Sequence, residues 1–412
     1  MSSENRVRNI DSPVHDWYRF VLSFPPHLVQ KYIEKFDICK KDIVLDPFCG
    51  TGTTNVQCKK QGISSVGIEA NPMTHFASTT KCAWKMNVDQ MYLQAIQIAD
   101  TATTIIEKSQ MLRSLTEEQN KLILKNSICE APLNQVLILR DTILAAHTKY
   151  EQYFLLALAK NIVYSYSNLK FGPEVGISRK KKQEVDVVSI WLKQIAVMQK
   201  DLQSYASLGN VSSEIINGDA RLVSGLPIKE KINFVITSPP YPNEKDYSRT
   251  TRLESVLLGY LHNKEQLRTI KKNFIRSNTK NVYKGDTDFQ YIEDITSIVK
   301  LSQEVEERRK ELGKTSGFEK LYSNVIKLYF GGMAKHFLEL KSVLSKNAKL
   351  AYVVGDQASY FKIPVRTARL LAEVAEHVGY KVEEIEPFRK RYATKTNTWL
   401  NEEVLILRYL GD

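Results

Sequence analysis

Short apolar runs recur along this chain, and each stops at a polar or glycine-bearing turn. Asp42-Ile43-Val44-Leu45-Asp46 predicts a buried strand that enters a glycine loop, and Thr54–Lys60 predicts the helix after it. Ser64-Ser65-Val66-Gly67-Ile68-Glu69 predicts a second strand with an acidic tip. Strand, glycine loop, helix, strand is the opening of a doubly wound α/β sheet. Strand chemistry returns at Glu214–Asp219, at Ile232–Thr237 and at Lys349–Asp356. Thr367–Val378 predicts a helix, and Tyr380–Glu386 with Glu403–Tyr409 predicts a closing β-hairpin, giving seven strands.

The alternation is interrupted twice. Val185, Val188, Leu192, Ile195 and Leu202 follow three-, four- and seven-residue steps, and Leu137–Leu158 is a second long apolar helical stretch. Between them Phe171–Gly176 has loop composition and leads into Arg179–Lys182. The expected organisation is a discontinuous α/β unit, 1–85 and 210–412, with a helical insertion at 86–209. Within the unit, 243–325 is polar, basic and rich in turn formers, and reads as a second insertion.

Charge changes this picture. With 412 residues and a net charge of +12, the chain favours a polyanionic partner. Its cations cluster at Arg179–Lys182, at 264–284 (Lys264, Arg268, Lys271, Lys272, Arg276, Lys280, Lys284) and at Arg389, Lys390, Arg391 and Lys395. A solvated surface explains any one cluster equally well, but three of them flanking loop-bearing strands point to phosphate contact. Five cysteines form no CxxC pair, so neither a metal site nor a redox pair is expected. No apolar run approaches the ~20 residues of a membrane span. Met1–Arg6 has no apolar signal-peptide core, so a cytoplasmic protein is expected.

Two loops carry the candidate chemistry. Ser238-Pro239-Pro240-Tyr241 follows the Ile232–Thr237 run, and consecutive prolines cannot continue a sheet ladder. The result is a rigid strand exit bearing a hydroxyl, fixed carbonyls and an aromatic ring. The second loop, Asp46–Thr54, holds Gly50 and Gly52, which permit a tight turn and close backbone approach to a ligand. The dinucleotide fingerprint needs a third glycine where Asn55 stands, which argues against a nicotinamide site. Glu69 is an ordinary strand end by itself; after a glycine loop it is a candidate acceptor for ribose hydroxyls. Asp219 is a weaker candidate for an adenine amino group, because Asn-Gly-Asp is also common turn chemistry.

These residues resemble the S-adenosylmethionine-dependent DNA amino-methyltransferases, which modify cytosine N4 or adenine N6. Asp46–Thr54 is similar to that family's DPFxGxGT cofactor motif, and Ser238–Tyr241 to its [S/D/N]PP[Y/F] catalytic motif. Phe24-Pro25-Pro26 resembles the segment that closes over the methionine moiety. The resemblance implies a seven-stranded Rossmann-like methyltransferase sheet. It implies cofactor contacts from Phe24, Pro25, Asp46, Pro47, Phe48, Gly50, Gly52, Thr53, Glu69, Asn71 and Asp219. It covers 1–85 and 210–412 and leaves out the helical insertion, which separates the two motifs by an unusual length.

The chemistry so implied is direct attack on the sulfonium methyl by an exocyclic amine. Ser238 Oγ and the Pro239 carbonyl are candidate acceptors for the amine, rigid Pro240 holds the loop, and Tyr241 stacks on a base flipped out of the duplex. No Pro-Cys dipeptide occurs, which sets cytosine-C5 chemistry aside. Serine in the first motif position favours cytosine N4, and adenine N6 remains open. An RNA amino-methyltransferase and a non-catalytic nucleic-acid-binding subunit are further alternatives. Lys180, Lys181, Arg249, Arg252, Lys271, Lys272 and Arg276 are the expected contacts to double-stranded DNA, with Tyr247 and Tyr283 as aromatic surface. A cognate restriction endonuclease is an expected partner; no membrane or metal partner is expected.

Overall fold

The computed structural model describes residues 9–19, 23–171, 175–243, 245–393 and 397–411. Residues 1–8, Gly172–Glu174 of the expected loop and Lys395 of the third basic cluster lie outside the described residues. The chain opens with α1 (Pro26–Lys35), β1 (Ile43–Asp46), α2 (Thr53–Lys60), β2 (Ser64–Glu69) and α3 (Pro72–Cys82). It continues through α4 (Val88–Lys108), α5 (Glu117–Asn120), α6 (Glu130–Ala145), α7 (Glu151–Asn161), the small hairpin β3 (Leu169–Phe171) and β4 (Val175–Ile177), and α8 (Val187–Ser204). Next come β5 (Ser213–Asn217), β6 (Ile232–Thr237), α9 (Arg252–Leu257), α10 (Lys264–Lys272) and α11 (Thr296–Glu311). The last elements are α12 (Tyr322–Leu340), β7 (Leu344–Gly355), α13 (Thr367–His377), β8 (Lys381–Ala393) and β9 (Thr398–Arg408).

Seven strands form one sheet in the order β5-β2-β1-β6-β7-β9-β8. The first five run parallel, and β9 lies antiparallel between β7 and β8. The α/β expectation holds, with its seven strands and its closing hairpin. Period-two alternation assigns the faces. Val44, Ile236, Ala351, Val353, Val404 and Ile406 pack on Leu28, Val29, Tyr32 and Ile33 of α1. Their neighbours Leu45, Val235, Leu350, Tyr352, Val354, Leu405 and Leu407 pack on α12 and α13.

From β1 the chain moves outward to β2 and β5, then returns to place β6 on the other side of β1. The crevice between β1 and β6 is therefore the topological switch point, where ligands bind in open α/β sheets. Both candidate loops leave the carboxyl ends of these two adjacent strands.

Among the described residues, the regular elements between β2 and β5 are all helices apart from the short strands β3 and β4. Helices α4, α6, α7 and α8 bury their apolar faces together with Val56 of α2, Met73 and Ala77 of α3, and Leu253, Val256 and Leu257 of α9. One continuous core thus joins this bundle to helices beside the sheet. The 243–325 stretch is more ordered than its composition suggests. It contains α9, α10 and α11, and its Ile275, Ile292, Ile295 and Ile298 enter the sheet core. These isolated isoleucines sit among polar residues, which is why the sequence pattern hides them.

The closing hairpin is longer than predicted. Tyr380–Glu386 and Glu403–Tyr409 become Lys381–Ala393 and Thr398–Arg408. Charged residues at Glu383, Glu384, Glu386, Arg389, Lys390 and Arg391 mask the alternation. β9 pairs with β7 only over Glu402–Arg408, so the far ends of β8 and β9 continue beyond the sheet as a two-stranded ribbon.

Candidate active site

A cavity of about 1000 Å³ opens at the switch point and is lined by both candidate loops. That volume lies at the upper end of ordinary ligand sites, room enough for a cofactor and an acceptor together. The glycine loop forms one end. Gly50 and Gly52 both have positive φ, +52° and +78°. A Cβ on Gly52 would stand 3.0 Å from Ser78 Cβ of α3, so only glycine lets the loop tuck against that helix. Lys81, buried on the same helix, donates to the Thr51 carbonyl between the two glycines at 2.8 Å and to the Tyr18 carbonyl at 3.3 Å. Burial lowers its ammonium to about 7.

Glu69, at the tip of β2, lines the cavity. One carboxylate oxygen accepts from Gly50 N–H at 2.8 Å and the other from Asn71 N–H at 2.8 Å. Desolvation pushes this carboxyl up to about 7, against the pull of those two amides. Asn71 caps α3 by accepting from Met73 N–H at 3.1 Å, with Pro72 beginning the helix. Phe24, Pro47, Phe48, Thr53 and Asp219 also reach the cavity.

Phe48 packs edge-on against His336 of α12, a residue the sequence pattern did not single out. Buried His336 donates from Nδ1 to the Ala220 carbonyl at 2.7 Å and accepts from Tyr352 hydroxyl at 2.6 Å. Burial lowers it to about 4, so it is a neutral prop beneath the cavity.

Three expected cofactor residues stand behind the wall. Pro25 ends the turn before α1, Gly52 faces Ser78, and Asp46 is fully buried between β1 and β6. Asp46 accepts from Thr237 hydroxyl at 2.5 Å and from Phe48 N–H at 3.1 Å. Thr54 hydroxyl donates to the Ile236 carbonyl at 3.0 Å. These bonds tie the glycine loop to the strand carrying the second loop. Desolvation raises Asp46 to about 6. Asp219 lines the cavity, but its carboxylate is clasped by Arg221, whose Nη2 stands at 2.6 Å and whose Nη1 pairs with Asp288 at 2.7 Å.

The second loop forms the other end. Ser238, Pro239, Pro240 and Tyr241 all line the cavity. Ser238 hydroxyl donates to the Val353 carbonyl at 3.0 Å, which engages its proton; its oxygen stands 3.4 Å from the Tyr241 hydroxyl and keeps a lone pair as acceptor. Tyr241 rests on the β7 exit, where a Cβ on Gly355 would meet its ring at 3.1 Å. Tyr241 N–H donates to the Tyr247 hydroxyl at 2.9 Å. Tyr247 therefore braces the loop while its side chain also lines the cavity. Tyr283 is likewise engaged, with the Arg268 and Arg276 guanidinium groups 5.6 and 5.2 Å from its ring centre.

The expected DNA contacts divide sharply. Arg276 is buried and forms a two-pronged pair with Asp286, at 2.9 and 2.8 Å. Lys271 is buried against Asp246 at 3.1 Å, and Arg252 donates to Ser248 hydroxyl at 2.7 Å. Turning these cations toward phosphate would strand buried carboxylates at a cost of several kcal/mol, about 3–5 for a broken buried pair. They hold the insertion together instead. Lys180 and Lys272 are exposed, and Lys181 and Arg249 partly so. Cations that the pattern missed, Lys245, Lys314 and Lys362, line the cavity with Arg389 and Arg391. Their order in the chain is scattered, so only the folded chain brings them together. Among the described residues no cluster of His, Cys, Asp and Glu suits a metal ion, and no helix is long and apolar enough to cross a membrane.

A family profile described as DNA methylase matches residues 2–78, the stretch that holds the glycine loop and Glu69. Over most of its length the chain is similar to Type II methyltransferase M.BsoBI of Geobacillus stearothermophilus, 26% identical over 93% of this chain and 82% of the relative. Type II methyltransferase M.AvaI of Anabaena variabilis is 25% identical over 92% of this chain and 81% of its own. Type II methyltransferase M.MjaII of Methanocaldococcus jannaschii is 38% identical over 20% of this chain and 14% of its own.

Proposed function

We propose that this chain, which belongs to the DNA amino-methyltransferase family, methylates the exocyclic N4 amine of cytosine in double-stranded DNA, as the modification enzyme of a restriction-modification system. S-adenosylmethionine fits the cavity's first end. Glu69 keeps a lone pair on each oxygen for a vicinal diol, and the aromatic face of Phe48 stands beside the glycine turn. When bound, that cofactor supplies an electrophilic methyl group on a sulfonium.

The observation that carries the reading is the orientation of Ser238. With its proton committed to the Val353 carbonyl and the Tyr241 hydroxyl 3.4 Å away, Oγ keeps a lone pair for the cavity beside Pro239. Accepting an amine N–H there pulls nitrogen toward a tetrahedral geometry and frees its lone pair for attack. The trans Pro239–Pro240 pair keeps the acceptor carbonyl from turning away. The ring of Tyr241 gives the base an apolar wall. A neutral hydroxyl at the first motif position supports cytosine, where the resemblance associates aspartate with adenine. The relatives, named as Type II methyltransferases, support DNA as substrate and a cognate endonuclease as partner in the same system.

Incubation with labelled S-adenosylmethionine and unmethylated plasmid or RNA, followed by nucleoside mass spectrometry, tests this. N4-methylcytosine in DNA is the expected product. N6-methyladenine would reassign the base, and label only in RNA, or none, would overturn the reading.

A further inference from the structure

The ribbon at the far ends of β8 and β9 stands at the cavity mouth with both faces unlike an ordinary sheet edge. Register places Arg391 opposite Leu400 and Arg389 opposite Glu402 on the face that lines the cavity. Arg389 is paired with Glu402 at 2.6 Å, whereas Arg391 is exposed and reaches the Asp356 carbonyl only at a long 3.4 Å. The alternate positions carry Tyr392 opposite Trp399, their rings edge to face at 5.2 Å, beside exposed Lys390; Tyr392 also reaches the cavity rim, whereas Trp399 stands outside it. Trp399 is 59% and Tyr392 45% exposed, although burying an aromatic side chain is one of the larger gains available to a fold. The other three tryptophans, Trp17, Trp84 and Trp191, are at most 2% exposed.

The charge around the ribbon is complementary to a polyanion. Lys245, Lys314 and Lys362 line the same cavity as Arg391, Lys314 standing 3.8 Å from Glu319, while buried Lys271 and Arg276 and half-buried Arg252 of the 243–325 insertion are engaged internally. A two-stranded ribbon also has the width that a DNA major groove, about 12 Å across, admits.

We infer that the β8–β9 ribbon is a DNA-binding arm: it enters a groove beside the acceptor cavity, with Arg391 and Lys390 on phosphates and Tyr392 and Trp399 against sugar or base. The inference rests on the proposed action on double-stranded DNA and adds a contact element that the basic insertion does not supply. Aromatic and cationic residues on a projecting pair of strands give the arm purchase without relying on the buried cations of the insertion.

Trp399 is the one exposed tryptophan of four, so its emission reports the contact. Full-length protein is titrated with unmethylated plasmid-derived duplex while tryptophan emission and cofactor binding are recorded. Duplex is expected to quench the wild-type emission. Trp399→Phe should lose the quenching but keep cofactor affinity and circular dichroism, and a Tyr392→Ala/Trp399→Ala variant should weaken duplex binding by about tenfold. Arg391→Gln should lower the salt dependence of log K by about one. Duplex binding that leaves emission unchanged, or wild-type affinity in the double variant, overturns the arm while the methylation reading stands. Binding to RNA alone, or to no nucleic acid, overturns both, and the product assay then identifies the methylation reading as the one that failed.

Discussion

Replacing Glu69 by glutamine tests the cofactor end of the cavity. Desolvation holds this carboxyl at about 7, against an ordinary 4.5, even though the Gly50 and Asn71 amides favour its charged form. Only the ionised group can accept both amides and still offer a lone pair on each oxygen to a ribose diol. At pH 6 roughly one molecule in ten is ionised, and at pH 8 about nine in ten. Apparent affinity scales with the competent fraction, so the Kd for S-adenosylhomocysteine should weaken about tenfold from pH 8 to pH 6. Glu69→Gln turns one acceptor into an NH₂ facing an amide donor. Losing a hydrogen bond to a charged group is worth about 1.5–3 kcal/mol, so the Kd should rise about 10- to 150-fold. The variant should also lose the pH dependence. Stability carries the opposite sign: the folded chain holds this proton more tightly, so wild-type stability declines as pH rises from about 4.5 through 7. Titration calorimetry from pH 6 to 8 at constant ionic strength reads the binding. A flat wild-type profile, or an unchanged slope in the variant, would refute the role assigned to the Glu69 charge.

Three further substitutions probe the framework. Asp46→Asn removes a buried carboxyl whose pKa is raised to about 6. Its urea-unfolding free energy relative to wild type should climb by about 3 kcal/mol between pH 4 and pH 8, and a pH-independent difference would show that the charge is not penalised there. Tyr247→Phe strands the Tyr241 N–H; kcat for methyl transfer should fall about 5- to 30-fold with cofactor affinity unchanged, and a matching loss of cofactor binding would indicate general collapse instead. Tyr241→Ala should strongly lower transfer to DNA while cofactor binding stays near wild type; equal loss of both would make Tyr241 a structural residue.

Much of the α/β frame is legible in the chain because strand burial imposes period two. Val44 and Leu45, or Val353 and Val354, are adjacent in sequence and packed on opposite helical layers. The glycine loop was equally legible, since positive φ at Gly50 and Gly52 tolerates few other residues. The insertion at 243–325 was less so. Its isoleucines are spaced without a clear period, and its cations gave no sign of which would be buried. Arg276 and Lys272 look alike as letters, yet one is clasped by Asp286 and the other is exposed. Lys81 and His336 escaped notice for a related reason: each is a single polar residue on an apolar helix, and its acceptor lies on a distant segment.

The two loops, the strands that carry them and the chemistry their residue types allow were already written in the order of the residues. This is because glycine, proline and strand alternation act on the backbone locally. The tertiary structure alone decided that the loops face one cavity, because the β1–β6 adjacency is a crossover between strands nearly two hundred residues apart along the chain. It also decided which way the Ser238 hydroxyl points, and which cations are free to meet a partner. Those outcomes depend on the Val353 carbonyl and on buried carboxylates brought in by distant segments, and desolvation makes them costly to arrange any other way.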